Sequence, residues 1–189
     1  ESLFFLLKIK NTLSEINDNN MAEYNFNQDV DVGERGELAL INEFEKKGLV
    51  FINDNKNNEY DIKFKLPSGR ETTLEIKTDV WCAPGRYLDL PFGRIWTEAK
   101  DSGNLFIEFE SRNKPSGISV TKAETFIYYF PFFKEYWSIN VNKLKRLIKE
   151  NSFRETKDSG DTDSDTRGYL IPREEHKKEF KVFKIDYDW

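Results

Sequence analysis

EYDIKFKLPSGRETTLEIKT, residues 59–78, carries the pattern from which the fold can be inferred. Apolar and polar side chains alternate in its first half, which is the two-residue period of a strand with one buried face. The second half repeats that alternation, and the tetrapeptide PSGR between the halves suits a tight turn. The segment therefore predicts a β-hairpin with strands at 59–66 and 71–78.

The polar face of this hairpin carries residue types that perform chemistry. Glu75 and Lys77 are two residues apart on one strand and share a face, and Asp61 lies on the polar face of the partner strand. Paired carboxylates suit Mg²⁺ or Mn²⁺, and a neighbouring lysine can stabilise developing negative charge. The same residues also fit a solvent-facing hairpin with cross-strand charge pairs, and their spacing alone leaves both interpretations open.

A helix upstream adds a further carboxylate. Residues 34–47, ERGELALINEFEKK, place Leu40, Ile41 and Phe44 on one helical face, and Gly48 suits the end of a helix. Glu37 continues the apolar stripe toward the helix start, so we expect it to face the sheet. The alternative is a first-turn acid that complements the helix dipole.

The order of these residues resembles that of the PD-(D/E)XK nuclease superfamily: Glu37 in a helix, Asp61 in a strand and Glu75-Ile76-Lys77 in the next strand. Residues 33–48 followed by Asp61 and EIK are particularly similar to the archaeal Holliday-junction resolvases. Residues 105–130, LFIEFESRNKPSGISVTKAETFIYYF, resemble a segment of phage-encoded members. The resemblance covers about residues 33–130, and Tyr60 stands where the family name has proline.

The resemblance implies a restriction-endonuclease-like α/β fold, with a mixed central sheet flanked by helices. It implies that Asp61 and Glu75 bind Mg²⁺, for which Mn²⁺ substitutes, and that the Ile76 carbonyl completes the site. Lys77 would then handle the attacking water, and Glu37 would assist the metal, often through water. The implied activity is hydrolysis of DNA in phage or bacterial recombination, repair or processing. The alternatives are a non-catalytic nucleic-acid-binding module that keeps the fold, and RNA cleavage.

The remaining sequence predicts further elements around this centre. Residues 79–103 show no regular period and predict a long loop, while residues near 155–167 predict a flexible acidic loop. We expect a single domain over 21–189, preceded by an extension at 1–20 that is helical or not native. Strands are predicted at 49–52, 104–111, 136–139, 168–171 and 180–185, and helices at 121–130 and 141–150.

Basic residues suggest where nucleic acid would bind. Arg112, Lys114 and Lys122 lie in a window, 111–122, that contains no acid, so phosphate contact is expected there. Arg86 and Arg94 lie among aromatic residues in the predicted loop. A solvated turn explains the first group equally well, and local packing with salt bridges explains the second.

Composition limits the classes of function. The net charge of −5 means that DNA contact must come from a local patch and metal ions. His176 is the single histidine, which excludes catalysis by paired histidines, and the single cysteine, Cys82, fits a reducing cytoplasm. That cytoplasm would be that of a bacterial host if the protein is phage-encoded. The apolar run at 3–7 is too short to cross a membrane, so no membrane is expected, and a homodimer is left open.

Overall fold

The computed structural model describes residues 21–52, 59–82, 86–90, 93–97, 101–158, 165–187 and 189, with side chains apart from those of 21–31, 86–97 and 158. The extension predicted at 1–20 lies outside the described residues. In chain order the elements are α1 (Met21–Lys46), β1 (Val50–Ile52), β2 (Ile62–Lys65), β3 (Glu71–Thr78), β4 (Arg86–Leu90), β5 (Gly93–Thr97), β6 (Asn104–Ser111), β7 (Lys114–Pro115), β8 (Thr125–Phe130), β9 (Glu135–Asn140), α2 (Val141–Glu150), β10 (Arg154–Asp158), β11 (Thr166–Pro172), α3 (Arg173–His176) and β12 (Lys181–Lys184).

The architecture is α/β, with a mixed six-stranded sheet at its centre, as the sequence predicted. Its strand order is β1-β2-β3-β8-β9-β12, and every neighbouring pair is antiparallel except β3 and β8. The predicted hairpin forms β2 and β3, with Ile62 opposite Leu74. An antiparallel sheet of order β10-β11-β6-β7 packs beside the central sheet, and β4 and β5 form a separate hairpin.

Apolar side chains cover both faces of the central sheet. On the helix face, Ala39 and Leu40 of α1 pack with Ile62, Phe64 and Leu74, and all five are at most 5% exposed. On the other face a second core joins residues of the central sheet, the four-stranded sheet and α2; its members include Phe126, Tyr128, Phe130, Leu105, Ile107, Ile171 and Leu144. The central sheet is therefore the middle layer of the described structure.

Helix α1 approaches the end of β3 unusually closely at Gly36. A Cβ added to Gly36 would lie 1.9 Å from Oγ1 of Thr78, so only glycine permits this separation. The predicted helix end is confirmed, because α1 stops at Lys46 and Gly48 has a φ of 85°. The contact at Gly36 therefore places the neighbouring Glu37, where the apolar face of the helix begins, next to β3, the strand that carries Glu75 and Lys77.

Two predicted elements are wrong. Residues 121–130 are not a helix: Thr125–Phe130 is strand β8, which pairs in parallel with β3. The predicted loop at 79–103 contains the β4–β5 hairpin, with Tyr87 opposite Trp96. Pairing with a neighbouring strand satisfies the backbone hydrogen bonds of both segments without any need for a regular hydrophobic period.

The acidic loop predicted near 155–167 is also partly regular structure. Residues 154–158 form β10 and pair antiparallel with β11, while residues 159–164 lie outside the described ranges. The other predicted strands and the helix at 141–150 are confirmed within a few residues of their predicted ends. No helix in the described part of the chain combines the length and the apolar composition needed to cross a membrane.

Candidate active site

Asp61 lies immediately before β2, and two hydrogen bonds tie it to β3. Its backbone N–H donates to the Leu74 carbonyl at 2.9 Å. The backbone N–H of Ile76 donates to Oδ2 of Asp61 at 2.7 Å. The Asp61 carboxylate is therefore held against the β3 backbone, next to Glu75.

Glu75 occupies the middle of β3, in register with Phe126 of β8. Its Oε2 accepts a hydrogen bond of 2.7 Å from Oγ1 of Thr121, a side chain that is only 4% exposed. Thr121 precedes β8, and the parallel pairing of β3 with β8 brings it beside Glu75. A residue 46 positions away in sequence thus fixes the direction of one carboxylate oxygen.

The surroundings of Glu75 disfavour its charged form. Burial is the largest cause, followed by repulsion from the Asp61 carboxylate; the hydrogen bond from Thr121 acts in the opposite direction. Smaller repulsions come from Glu108 and Glu37, and together these effects raise the pKa of Glu75 to about 7. Asp61, Glu108 and Glu37 therefore lie close enough to Glu75 for their negative charges to raise its pKa.

Glu108 is a member of this group that sequence reasoning missed. It lies on β6 in the four-stranded sheet, and its Oε1 accepts a hydrogen bond of 2.6 Å from Oγ of Ser116. Gly117 packs on its backbone, where an added Cβ would be 2.5 Å from the Glu108 carbonyl oxygen. The available signal was an acid enclosed by Ile107 and Phe109 in the otherwise apolar run 105–109 of this strand. Thr121 carried no comparable signal, because an isolated hydroxyl has no recognisable pattern.

Lys77 follows Glu75 on the same face of β3. It is half-buried, and its Nζ lies 5.9 Å from the centroid of the Phe106 ring on β6. Glu37 is half-buried on α1, next to the close contact between Gly36 and Thr78. The predicted catalytic residues therefore come from α1 and the β2–β3 hairpin, and Phe106 and Glu108 of the second sheet lie beside Lys77 and Glu75.

A buried polar network follows directly after β3. Tyr128 donates its hydroxyl hydrogen to Asp79 at 3.0 Å, and Arg173 reaches both Asp101 at 2.6 Å and the Cys82 sulfur at 3.3 Å. Burial and the nearby Asp79 and Asp101 carboxylates raise the pKa of the Cys82 thiol well above its usual range. The Cys82 thiol also donates to Asp79 at 3.3 Å, so the network joins the end of β3 to the second sheet.

The donor set around Asp61 and Glu75 has the chemistry of a hard-cation site. Within the described ranges, no three side chains of histidine, cysteine, aspartate or glutamate converge on one metal position. Asp61, Glu75 and the Ile76 carbonyl stay the predicted ligands. Carboxylate and carbonyl oxygens fit Mg²⁺, which commonly keeps several waters and takes one or two carboxylates. An assisting role of Glu37 through water stays a prediction.

The predicted DNA-contacting residues are dispersed over several elements. Lys122 forms an ion pair with Glu59, so its charge is partly neutralised within the protein. Arg112 lies in the turn between β6 and β7 with a φ of 52°, and Lys114 is exposed on β7. Arg86 and Arg94 lie on opposite strands of the β4–β5 hairpin, and their side chains are outside the described residues.

Comparison with known proteins gives a distant structural likeness. No family model matches the chain, and no curated protein matches it significantly in sequence. Among solved structures, the chain is similar to the bacterial homing endonuclease I-Ssp6803I, with a TM-score of 0.41 and 13% sequence identity. The match covers 59% of this chain and 68% of that one.

Proposed function

We propose that the protein is a metal-dependent nuclease of the PD-(D/E)XK type that hydrolyses DNA phosphodiester bonds with Mg²⁺. The observation that carries the proposal is that the Asp61 carboxylate accepts a hydrogen bond from the backbone N–H of Ile76, the neighbour of Glu75, while Lys77 shares a strand face with Glu75. The raised pKa of Glu75 supports it, because a group of acids that repel one another is relieved by a divalent cation.

Each residue has a distinct role in the proposed reaction. Asp61, Glu75 and the Ile76 carbonyl would hold the cation, and the chemistry that it would supply is polarisation of the scissile phosphate and a lower pKa of a bound water. Lys77 cannot be a ligand in its ammonium form, because an ammonium has donors only. Its donors orient the attacking water and stabilise the negative charge that develops on the phosphate. The water oxygen forms the new bond to phosphorus as the bond to the leaving sugar oxygen breaks; the water releases a proton to solvent, and the leaving oxygen takes up a proton from solvent.

The decisive test is Lys77→Ala, with Lys65→Ala as a control on the same hairpin, since Lys65 is exposed on β2. Plasmid nicking is followed across a Mg²⁺ titration, and DNA binding is measured separately in Ca²⁺. Lys77→Ala should reduce the rate on the order of 10²–10³ with little change in binding, by analogy with the loss of one oxyanion donor. Asp61→Asn should instead weaken metal binding at the site and be partly rescued by excess Mg²⁺ or Mn²⁺.

Two results would count against this function. If Lys77→Ala cuts as fast as the wild type, Lys77 does not act on the transition state. If the wild type cuts no supercoiled, linear, single-stranded or four-way-junction DNA with any divalent cation, a non-catalytic nucleic-acid-binding module takes the place of the nuclease. Parallel assays on RNA separate the two nucleic acids as substrates.

A further inference from the structure

We infer that Thr121 is a positioning residue of the proposed metal site, because its hydroxyl holds one oxygen of Glu75 and leaves the other for the cation. The inference rests on the proposed function and adds to it a residue that does not itself touch the metal. The contact joins Oγ1 of Thr121 to Oε2 of Glu75 at 2.7 Å, within the range of short, charge-assisted hydrogen bonds.

The hydroxyl of Thr121 has one hydrogen and two candidate acceptors. Oε2 of Glu75 is 2.7 Å away and the Glu59 carbonyl oxygen is 3.3 Å away, so the shorter contact to Glu75 receives the hydrogen. The oxygen of the same hydroxyl accepts the backbone N–H of Ala123 at 3.2 Å. These contacts leave the hydroxyl little freedom to rotate away from Glu75.

The backbone around Thr121 is anchored independently of the site. The Thr121 N–H donates to the Gly117 carbonyl at 3.0 Å, and the Lys122 N–H donates to the Glu59 carbonyl at 2.8 Å. Gly117 packs directly on Glu108, so the same turn also fixes that acid. Thr121 can therefore hold the Glu75 side chain in one conformation before any ligand arrives, which lowers the entropic cost of binding.

Fixing Oε2 has a consequence for the geometry of cation binding. A carboxylate with one oxygen committed to a hydroxyl presents its other oxygen, here Oε1, as a single-oxygen ligand. Groups that orient metal ligands in this way typically contribute 10–100-fold in metal affinity or activity. A purely structural threonine would contribute to stability alone and leave the cation affinity unchanged.

The test is Mn²⁺ binding, measured from the electron paramagnetic resonance signal of free Mn²⁺, in two pairs of variants that differ by one hydroxyl. Thr121→Val replaces the hydroxyl by a methyl group of similar size, and Thr121→Ala against Thr121→Ser repeats the comparison without the branch. Thr166→Val is the matched control, because Thr166 is also buried, at 9% exposure, and its Oγ1 lies 3.4 Å from that of Ser111.

We expect Thr121→Val and Thr121→Ala to weaken Mn²⁺ binding by about 10–100-fold, and Thr121→Ser and Thr166→Val to bind as the wild type does. The Mg²⁺ concentration that supports half-maximal cleavage should rise in the same two variants. If the wild type binds Mn²⁺ and all variants bind equally, the positioning role is overturned while the proposed site stands. If the wild type itself binds no Mn²⁺, the proposed metal site fails. If Thr121→Val does not fold, the Ala and Ser pair gives the same decision.

Discussion

At the scale of single residues, Glu75 favours stability in its neutral form, whereas the proposed metal site requires its charged form. Its pKa is raised from 4.5 to about 7, by burial first and then by the Asp61 carboxylate, with Glu108 and Glu37 adding to the repulsion. Because the folded pKa is above the unfolded one, the unfolded chain releases this proton first. The contribution of Glu75 to stability is therefore fully present below about pH 4.5 and is lost as the pH rises toward 7.

Glu75→Gln should stabilise the metal-free protein at pH 8 and have little effect near pH 4.5. The amide is neutral and similar in shape, so it removes the repulsion and the cost of burying a charge. The gain should be on the order of 1–3 kcal/mol, since one pKa unit corresponds to about 1.4 kcal/mol. Urea unfolding in EDTA at both pH values measures it. Glu174→Gln, at a side chain 71% exposed, is the control; equal effects of the two substitutions would show that burial of Glu75 is not the cause.

At the scale of elements, a strand could be predicted from the sequence where one of its faces is buried and the other is polar. The β2–β3 hairpin keeps a strict alternation, and this alternation also identified Asp61, Glu75 and Lys77. In β8 both faces are buried: Phe126 and Tyr128 join one core, while Ile127 and Tyr129 join the other. The resulting continuous apolar run has no two-residue period, so it cannot be distinguished from a buried helix by periodicity.

The same limit explains which site residues could not be predicted. Thr121 and Glu108 reach Glu75 only through the parallel pairing of β3 with β8 and the packing of the second sheet. Neither arrangement leaves a local pattern in the sequence. Strand β10 was missed for a different reason, because its side-chain contacts with the neighbouring strand are polar: Glu155 of β10 forms an ion pair with Arg167 of β11 at 2.9 Å.

The part of the acidic segment that lies between β10 and β11 in sequence, residues 159–164, is expected to be dispensable for cleavage. Replacing residues 159–164 by a Gly/Ser linker of equal length should leave the nicking rate unchanged, since no proposed site residue lies there. The paired strands should be kept, because Lys157 binds Asp165 at 2.7 Å and Arg167 joins β10 to β6. A loss of activity with an unchanged circular dichroism spectrum would instead point to a role of Asp161 and Asp163 in binding cations.

The close approach of α1 to β3 gives a sharp substitution test. Gly36→Ala should destabilise the protein by about 1–3 kcal/mol, because the new Cβ overlaps Thr78 and forces the helix outward. It should also slow cleavage, since Glu37 moves with the helix. Gly33→Ala is the matched control on the same helix: its Cβ meets nothing within 4 Å, so the higher helix propensity of alanine should leave stability unchanged or increased.

Thermal unfolding and plasmid nicking of both glycine variants measure these effects. Combining Gly36→Ala with Thr78→Ala removes the Oγ1 and Cγ2 atoms from the overlap and should partly restore both stability and activity. If Gly36→Ala and Gly33→Ala behave alike, the separation of α1 and β3 does not depend on a missing side chain.

At the scale of the whole molecule, the proposed cation site lies where three layers meet. Helix α1 contributes Glu37, the central sheet contributes Asp61 and Glu75, and the four-stranded sheet contributes Glu108. Each layer brings negative charge to the same border, in a chain that already carries a net charge of −5. A cation bound at this border would reduce the repulsion between layers, so its binding should stabilise the molecule as a whole.

Divalent cations should therefore raise the melting temperature, and this increase should require Glu75. A ligand at 100 times its dissociation constant stabilises the native state by about 2.7 kcal/mol. For a domain of this size each kcal/mol corresponds to roughly 2–4 °C, so saturating Mn²⁺ should raise Tm by about 5–10 °C. Calorimetry at pH 8, with ionic strength matched by NaCl, isolates specific binding from screening.

Glu75→Gln should begin at a higher Tm without metal and gain little from Mn²⁺, because the charge that attracts the cation has been removed. An equal gain in both proteins would show that the cation binds elsewhere on the acidic surface.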